Sequence, residues 1–325
     1  MTHAIVQEET GGPEVLVYRE VPDPTPGPGQ ILVRHTAIGL NYLDTYFRSG
    51  LYPAPNGLPM TIGSEAAGVV EAVGSGVSDF APGDRVAYAG PLGAYAVTRT
   101  MPAANAVKVP DGVSDETAAA MMLKGMTARY LLKQTYKVEP GTTILFHAAA
   151  GGVGLIAGQW AKALGATIIG TVGSAAKAEL ARANGYTHVI NYAEEDFVAR
   201  VKELTGGNGV DVAYDSVGQD TYPGSLDCLK PFGLWASFGQ SSGPIKNFSL
   251  QHLSQKGSLY ATRPTLFTYV AKRADLEANA ADLFSVVASG EVSIDIGQTF
   301  PLAEAAEAHR ALEGRKTHGS SILIP

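Results

Sequence analysis

The stretch ILFHAAAGGVG, residues 144 to 154, decides the fold of the middle of this chain. Its apolar start predicts a buried strand, its glycines predict a tight turn, and a helix is expected to begin near Val153. The turn approximates G-x-G-x-x-G, with Ala149, Gly151 and Gly154 at the three glycine positions. Between a strand and a helix, this pattern is typical of a turn that binds a dinucleotide phosphate at the helix N-terminus. The residues expected at the phosphates are Ala149, Gly151, Gly152, Val153 and Gly154.

The segments around this turn alternate between strands and helices. Strands are predicted at 143–147, 167–172, 189–191, 210–215 and 233–238, and helices at 152–164, 175–184, 194–205 and 222–229. Alternation with short connections is typical of a parallel, doubly wound sheet of the Rossmann type.

The end of the second strand indicates which dinucleotide is preferred. Proteins that select NAD place an acidic residue about 20 positions after the glycine turn, where it bonds the ribose 2′-hydroxyl. Here the strand ends in Gly173 and Ser174, and the first acidic residue after Gly154 is Glu179. Lys177 begins the next helix, where its charge suits a 2′-phosphate. The sequence therefore favours NADP over NAD.

The remaining parts of the chain predict a second domain. Short strands at 4–7, 16–20, 31–39, 69–73, 85–88, 94–98 and 106–109 indicate a partly closed β-barrel. Helices are expected at 114–133, 266–289 and 303–313, and a terminal strand at 321–324 is expected to return to the β-rich part. We therefore expect an α/β protein in which a nucleotide-binding domain, 124–263, is inserted into a catalytic domain made of 1–123 and 264–325.

Composition narrows the classes of function. The chain has 325 residues, of which 45% are hydrophobic and 17% charged, and a net charge of −7, so a nucleic-acid partner is not expected. An apolar run over 143–161 approaches the length of a membrane span, but its glycines favour a strand, turn and helix instead. With one cysteine, Cys228, and no secretory pattern in MTHAIVQEETGG, we expect a reducing, cytoplasmic location.

Two other kinds of catalytic site are disfavoured. None of the seven histidines lies at metal-ligand spacing with another on one helix, so we expect no metal. Gly239-Gln240-Ser241-Ser242-Gly243 matches the G-x-S-x-G pattern of hydrolases, but Pro244 interrupts the helix that a nucleophile elbow needs. The same loop fits a ligand contact at the carboxyl end of a parallel strand.

Several longer motifs together carry a family resemblance. NYLDTYFRSGLYP at 41–53, GSEAAGVVEAVGSGV with FAPGDRV at 63–86, and AAAGGVG at 148–154 resemble the zinc-independent quinone oxidoreductases, the zeta-crystallin-like branch of the medium-chain dehydrogenases/reductases. The resemblance covers nearly the whole chain and implies a GroES-like catalytic domain. Zinc-dependent relatives carry Gly-His-Glu where this chain has Gly63-Ser64-Glu65, and a zinc-ligand cysteine where it has Asn41. The resemblance thus implies metal-free reduction of quinones by NADPH.

The resemblance also implies roles for particular residues. Nicotinamide contacts are implied for Asn41, Asp44, Tyr46 and Thr127, and a 2′-phosphate pocket for Gly173, Ser174, Lys177, Tyr192 and Arg315. The residues implied on the nicotinamide ribose side of the cofactor are Ser216, Phe238, Gly239, Gln240 and Ser241. The cleft between the domains would hold the quinone, lined by Asn41, Tyr46, Tyr52 and Arg263. Of these, Tyr46, Asn41 and Arg263 are the candidates to stabilise a developing oxyanion.

Two alternative functions stay open at this point. An alkenal or enone reductase would use the same cofactor geometry on an activated C=C bond. A binding role is the other, since zeta-crystallin relatives include lens structural proteins and RNA binders, although the charge of −7 weighs against RNA. The resemblance further implies a homodimer, with 257–262 as a candidate edge strand, because an exposed apolar edge needs covering.

Overall fold

A computed structural model describes all residues, 1–325, as fifteen strands and ten helices. The strands are β1 Thr2–Val6, β2 Val17–Val21, β3 Gln30–Leu40, β4 Glu65–Val73, β5 Arg85–Ala89, β6 Thr98–Pro102, β7 Val107–Lys108, β8 Thr143–Phe146, β9 Thr167–Val172, β10 His188–Asn191, β11 Val210–Asp215, β12 Leu229–Ser237, β13 Tyr260–Thr262, β14 Ile296–Pro301 and β15 Ser320–Ile324. The helices are α1 Tyr42–Ser49, α2 Asp115–Tyr130, α3 Gly152–Ala163, α4 Ala175–Ala183, α5 Phe197–Leu204, α6 Gly224–Asp227, α7 Leu250–Gln255, α8 Leu266–Tyr269, α9 Arg273–Ala288 and α10 Ala305–Glu313.

The chain divides into two compact units. The first unit comprises Met1–Met126, Val270–Ala288 and Ile294–Pro325, and the second comprises Thr127–Tyr269 and Ser289–Ser293. Each unit has its own buried apolar cluster. No helix is both long enough and apolar enough to cross a membrane.

The first unit is built on a seven-stranded sheet. Its strand order is β14-β15-β3-β4-β5-β7, and β6 pairs with the N-terminal half of β3. The terminal strand β15 runs antiparallel to β3, with Ser321 opposite Leu40, so the predicted return of the chain end to the β-rich part is confirmed. Buried residues of β3, β4 and β5, among them Ile31, Val70 and Tyr88, form the core of this unit.

In the first unit one local prediction is wrong and two elements were not predicted. The strand expected at 94–98 is wrong, because the backbone of this segment bonds scattered partners, with Tyr95 N–H on the Ile62 carbonyl and Val97 N–H on the His3 carbonyl. The regular strand is β6, which begins at Thr98. Helix α1 and strand β14 were not expected from the sequence. Asn41 is the N-cap of α1, and its backbone N–H donates to the Asp44 carboxylate over 2.9 Å, which is the contact that the third helical residue makes in a capping box.

The second unit is the predicted doubly wound parallel sheet. Its six strands have the order β10-β9-β8-β11-β12-β13, and all five pairings are parallel. The reversal of order beside β8 places the turn after that strand at the switch point where such sheets bind ligands. The helix expected over 266–289 is two helices, α8 and α9, because the chain passes from one unit to the other at 270.

Candidate functional site

The turn after β8 has the close packing that a phosphate-binding loop requires. Gly151 is the N-cap of α3. A Cβ atom at Gly154 would lie 2.5 Å from the carbonyl oxygens of both Ala148 and Ala149, so only glycine fits there. The first turn of α3 contains no acidic residue, and its N–H groups present partial positive charge. The residues present therefore fit a dinucleotide phosphate.

A buried histidine holds the strand ends beneath this turn. His147 Nε2 lies 3.0 Å from Ser225 Oγ, and Ser225 in turn donates to the Asp215 carboxylate over 2.9 Å. Because the carboxylate can only accept, the proton on His147 is at Nε2, and Nδ1 accepts from the Thr171 hydroxyl at 2.9 Å. Burial lowers the pKa of His147, which keeps the ring neutral. This chain of contacts joins the carboxyl ends of β8, β9 and β11.

The loops that follow β11 and β12 are packed against each other. The Asp215 carboxylate accepts from the N–H groups of Val217 and Gly218, which fixes the first loop. In the second loop, Ser241 N–H donates to the Ser216 carbonyl over 3.1 Å. A Cβ atom at Gly239 would lie 2.6 Å from the same carbonyl. The structure thus brings together the residues predicted for the nicotinamide ribose side, which are Ser216, Phe238, Gly239, Gln240 and Ser241.

The expected 2′-phosphate residues of the second unit meet at the end of β9. Ser174 is the N-cap of α4 and accepts from the Lys177 N–H at 3.4 Å. The hydroxyl of Tyr192, a residue 45% exposed, lies 2.6 Å from where a Cβ atom at Gly173 would stand. The segment carries no carboxylate that could bond a 2′-hydroxyl before Glu179. Arg315 lies in the first unit, just after α10, with a left-handed φ of 56°.

In the first unit, Asn41 is held by a buried ion pair. Its Nδ2 donates to Glu65 Oε2 over 2.8 Å, and Lys124 Nζ donates to the same oxygen over 2.7 Å. The other oxygen, Oε1, accepts from Leu123 N–H at 2.6 Å. A Cβ atom at Gly39 would lie 2.2 Å from Glu65 Oε2, so a glycine on β3 makes room for this carboxylate.

Asp44 forms a second buried group behind the N-terminus of α1. Its carboxylate accepts from Asn41 N–H, the Ser64 hydroxyl at 3.0 Å and the Tyr95 hydroxyl at 3.1 Å. Burial raises the pKa of Asp44 to about 7, although these donors and the nearby Lys124 ammonium lower it. All of its oxygen contacts are to protein donors, so its place in the structure is that of a support for Asn41.

Aromatic side chains line one side of α1. The rings of Tyr46 and Tyr52 are 5.2 Å apart, and those of Tyr42 and Tyr46 are 5.8 Å apart. Tyr46 is buried and Tyr52 is partly exposed. In the second unit, Thr127 is buried on α2, and Arg263 donates to the Ser237 carbonyl over 2.7 Å. Arg263 therefore lies at the carboxyl end of β12.

No group of three or more His, Cys, Asp or Glu side chains is arranged to hold a metal ion. Cys228 is buried, and burial raises the pKa of its thiol to about 12. After Ser241 the next helix begins only at Leu250, so the G-x-S-x-G segment lacks the helix of a nucleophile elbow.

Comparisons with known proteins agree with both units. Residues 27–111 match the family model of the alcohol dehydrogenase GroES-like domain, and residues 152–282 match that of the zinc-binding dehydrogenases. A GroES-like unit joined to a Rossmann-type unit defines a medium-chain dehydrogenase/reductase. A quinone oxidoreductase of Pseudomonas aeruginosa is 57% identical over 97% of this chain and 97% of its own length. The chain belongs to the quinone oxidoreductase family of that superfamily.

Two further relatives extend the comparison. The crystal structure of Escherichia coli quinone oxidoreductase complexed with NADPH is 52% identical, with a TM-score of 0.98, and the match covers 99% of this chain and 100% of that one. A 2-haloacrylate reductase from a Burkholderia species is 49% identical over 100% of this chain and 99% of its own length.

Sequence reasoning missed three buried polar residues. Glu65 and Lys124 were not selected, although Lys124 is a lone charge within the apolar run AAAMMLKGMTA at 118–128. His147 precedes the glycine turn in a strand that is otherwise apolar, and its partners come from residues 24 and 78 positions away in sequence. For Lys124 and His147, the available signal was a polar residue inside an apolar segment.

Proposed function

We propose that this protein reduces quinones with NADPH, by hydride transfer and without zinc. The observation that carries the proposal is the pair of loops that follow β8 and β9. A glycine turn fits a dinucleotide phosphate, the neighbouring loop carries Ser174 and Lys177, and the sequence between Gly154 and Glu179 contains no acidic residue. The 52% identical relative solved with NADPH supports the same cofactor.

Each part of the cofactor is assigned to residues that the structure has described. The N–H groups at the start of α3 hold the pyrophosphate, and Lys177, Tyr192 and Arg315 hold the 2′-phosphate. The loop with Gly239 and Ser241 holds the nicotinamide ribose. Asn41 orients the nicotinamide, while Asp44 acts through Asn41 because its carboxylate is already occupied. NADPH supplies the hydride when it is bound.

The acceptor is assigned to the aromatic side of α1. The rings of Tyr46 and Tyr52 pack against each other at 5.2 Å and 60°, and this aromatic surface suits a flat, electron-poor quinone. Hydride addition leaves negative charge on a quinone oxygen, which a hydrogen-bond donor at the site stabilises. Tyr46, Asn41 and Arg263 remain candidates for that contact.

Zinc independence and a cytoplasmic homodimer belong to the same proposal. Asn41 and Ser64 are not zinc ligands of the usual kind, and Glu65 is occupied by a lysine. Strand β13 lies at the edge of the parallel sheet, where Tyr260 is 62% exposed, and Phe232 on the neighbouring strand β12 is 69% exposed. Pairing of two such edges would cover both side chains and extend the sheet.

The test measures the oxidation of NADPH, as the loss of its absorbance, with each of several acceptors. Purified protein is given 1,4-benzoquinone, a bulky polycyclic quinone and a 2-alkenal in separate reactions. We expect quinones to be reduced many times faster than the alkenal. Turnover of the alkenal alone would overturn quinone reduction and move the proposed function to the reduction of C=C bonds.

A further inference from the structure

Lys124 is a charged residue in the core of the first unit, and so far it has no role beyond its ion pair with Glu65. Its side chain is 7% exposed, and its one ionic partner, Glu65, is fully buried. Removing a lysine ammonium from water is costly, and a buried ion pair seldom adds net stability over an apolar pair of the same size. A glycine at position 39 is also needed to admit the Glu65 carboxylate. This arrangement therefore suggests a chemical role.

The Lys124 ammonium has more hydrogen-bond donors than it has partners in the protein. Nζ carries three N–H groups. One donates to Glu65 Oε2 over 2.7 Å, and the other two have no partner in the protein. Glu65 Oε2 also accepts from Asn41 Nδ2, so the ammonium and the Asn41 amide meet at one oxygen atom. A nearly buried cation with two unmatched donors is suited to an anionic oxygen.

We propose that Lys124 is a catalytic residue that binds the anionic oxygen of the reduced acceptor. This inference rests on the proposed function and adds a residue to it. A hydride supplied by bound NADPH would break the C–H bond of the cofactor and form an O–H bond at one carbonyl oxygen of the quinone. The two electrons would leave the negative charge of the resulting hydroquinone monoanion on the other oxygen. The two remaining N–H groups of Lys124 donate to that oxygen as its charge develops, and the ammonium keeps its proton. Water then supplies the proton that completes the hydroquinone.

Glu65 has a matching part in this arrangement. Its carboxylate fixes the position of Nζ and is itself fixed by Leu123 N–H on the other oxygen. Charge development at the acceptor therefore meets a cation that is already oriented, and little reorganisation is needed. Glu65 is a positioning residue because it contacts Lys124 and not the acceptor.

Steady-state kinetics of four variants separate catalysis from simple charge balance. Lys124→Met should lower kcat for 1,4-benzoquinone about 100-fold, the scale for loss of one oxyanion donor, with unchanged affinity for NADPH. Lys124→Arg retains a cation and should recover part of the rate. Lys108→Met is the matched control, because Lys108 pairs with Asp84 at the surface of the same unit, and its kcat should equal that of the wild type.

The fourth variant is the double substitution Lys124→Met with Glu65→Gln. It removes both charges, so Glu65 is not left buried without a cation. If Lys124 only neutralises Glu65, the double variant should regain the wild-type rate. The proposal requires it to remain about as slow as Lys124→Met, and recovery of the wild-type rate would overturn it.

A binding measurement tests the same residue without turnover. 4-Nitrophenol is titrated into protein loaded with NADP⁺, and its ionised form is followed by its yellow absorbance. In the wild type and in Lys108→Met, the bound phenol should ionise at lower pH than the free phenol. In Lys124→Met that shift should be lost. Equal ionisation in Lys124→Met and the wild type, or no shift in the wild type, would contradict the proposal. If the wild type shows the shift but reduces no quinone, the anion site stands and the proposed substrate class fails.

Discussion

The hydroxyl of Tyr192 fills the space beside Gly173, because a Cβ atom on residue 173 would lie 2.6 Å from that oxygen. Tyr192 follows β10 and Gly173 follows β9, and these neighbouring parallel strands therefore end side by side. Gly173 belongs to the local sequence pattern at the end of β9, whereas Tyr192 comes near it only in the folded structure.

Substitution of Gly173 tests its contact with Tyr192 directly. Gly173→Ala should weaken NADPH binding about tenfold, because overpacking costs about 1 to 3 kcal/mol and displaces Tyr192. Adding Tyr192→Phe removes the oxygen that the new methyl group would meet, so the double variant should bind better than Gly173→Ala alone. Isothermal titration with NADPH measures both. If the losses of NADPH affinity caused by Gly173→Ala and by Tyr192→Phe simply add in the double variant, the contact between the two residues does not govern binding.

Charge at the 2′-phosphate is a separate prediction. Lys177→Ala and Arg315→Ala should each weaken NADPH binding and leave NADH binding nearly unchanged, because NADH lacks the phosphate. The dissociation constants of both cofactors are compared for each variant. Lys202→Ala, an exposed lysine near the end of α5, serves as the control. Equal loss of NADH and NADPH affinity would contradict the assigned role.

Asp44 should make stability depend on pH. Burial raises its pKa to about 7 in the folded protein, whereas an aspartate in an unfolded chain has a pKa of about 3.9. Between these values the folded state holds a proton that the unfolded state has released. The free energy of unfolding therefore falls as the pH rises through this window, and the loss is complete above pH 7.

Asp44→Asn should remove this dependence. Compared with the wild type, the variant should gain on the order of 2 kcal/mol in relative stability between pH 5 and pH 8. Urea unfolding at the two pH values, with both proteins side by side, measures the difference. Other carboxylates titrate equally in both proteins and cancel. A constant difference between the two curves would show that Asp44 does not titrate in this range.

The exposed edge of the second unit should carry the contact between copies. Tyr260→Lys places a charge on β13, where it opposes strand pairing, and should convert a dimer to a monomer. Light scattering during gel filtration reports the mass. Val17→Lys adds the same charge at an exposed residue of β2 in the first unit and should leave the mass unchanged. A monomeric wild type at micromolar concentration would remove the prediction.

Local sequence patterns predicted the parallel sheet and its glycine turn because their signals lie within a few residues. Gly151, Gly154 and the apolar strand before them are adjacent in sequence, and so are Ser174 and Lys177. The Asn41–Glu65–Lys124 contacts join residues 24 and 59 positions apart, and no local pattern encodes that meeting. The segment 94–98 was misplaced for the same reason, since its backbone partners, among them His3, His35 and Ile62, are distant in sequence.

The central claim is that NADPH serves this protein as the hydride donor to a quinone. The most direct test is the ratio of kcat/KM for NADPH to kcat/KM for NADH, with 1,4-benzoquinone as the fixed acceptor. The proposed 2′-phosphate contacts predict a ratio far above one, and Lys177→Ala should reduce it. A ratio near one, or no oxidation of either cofactor, would contradict the account.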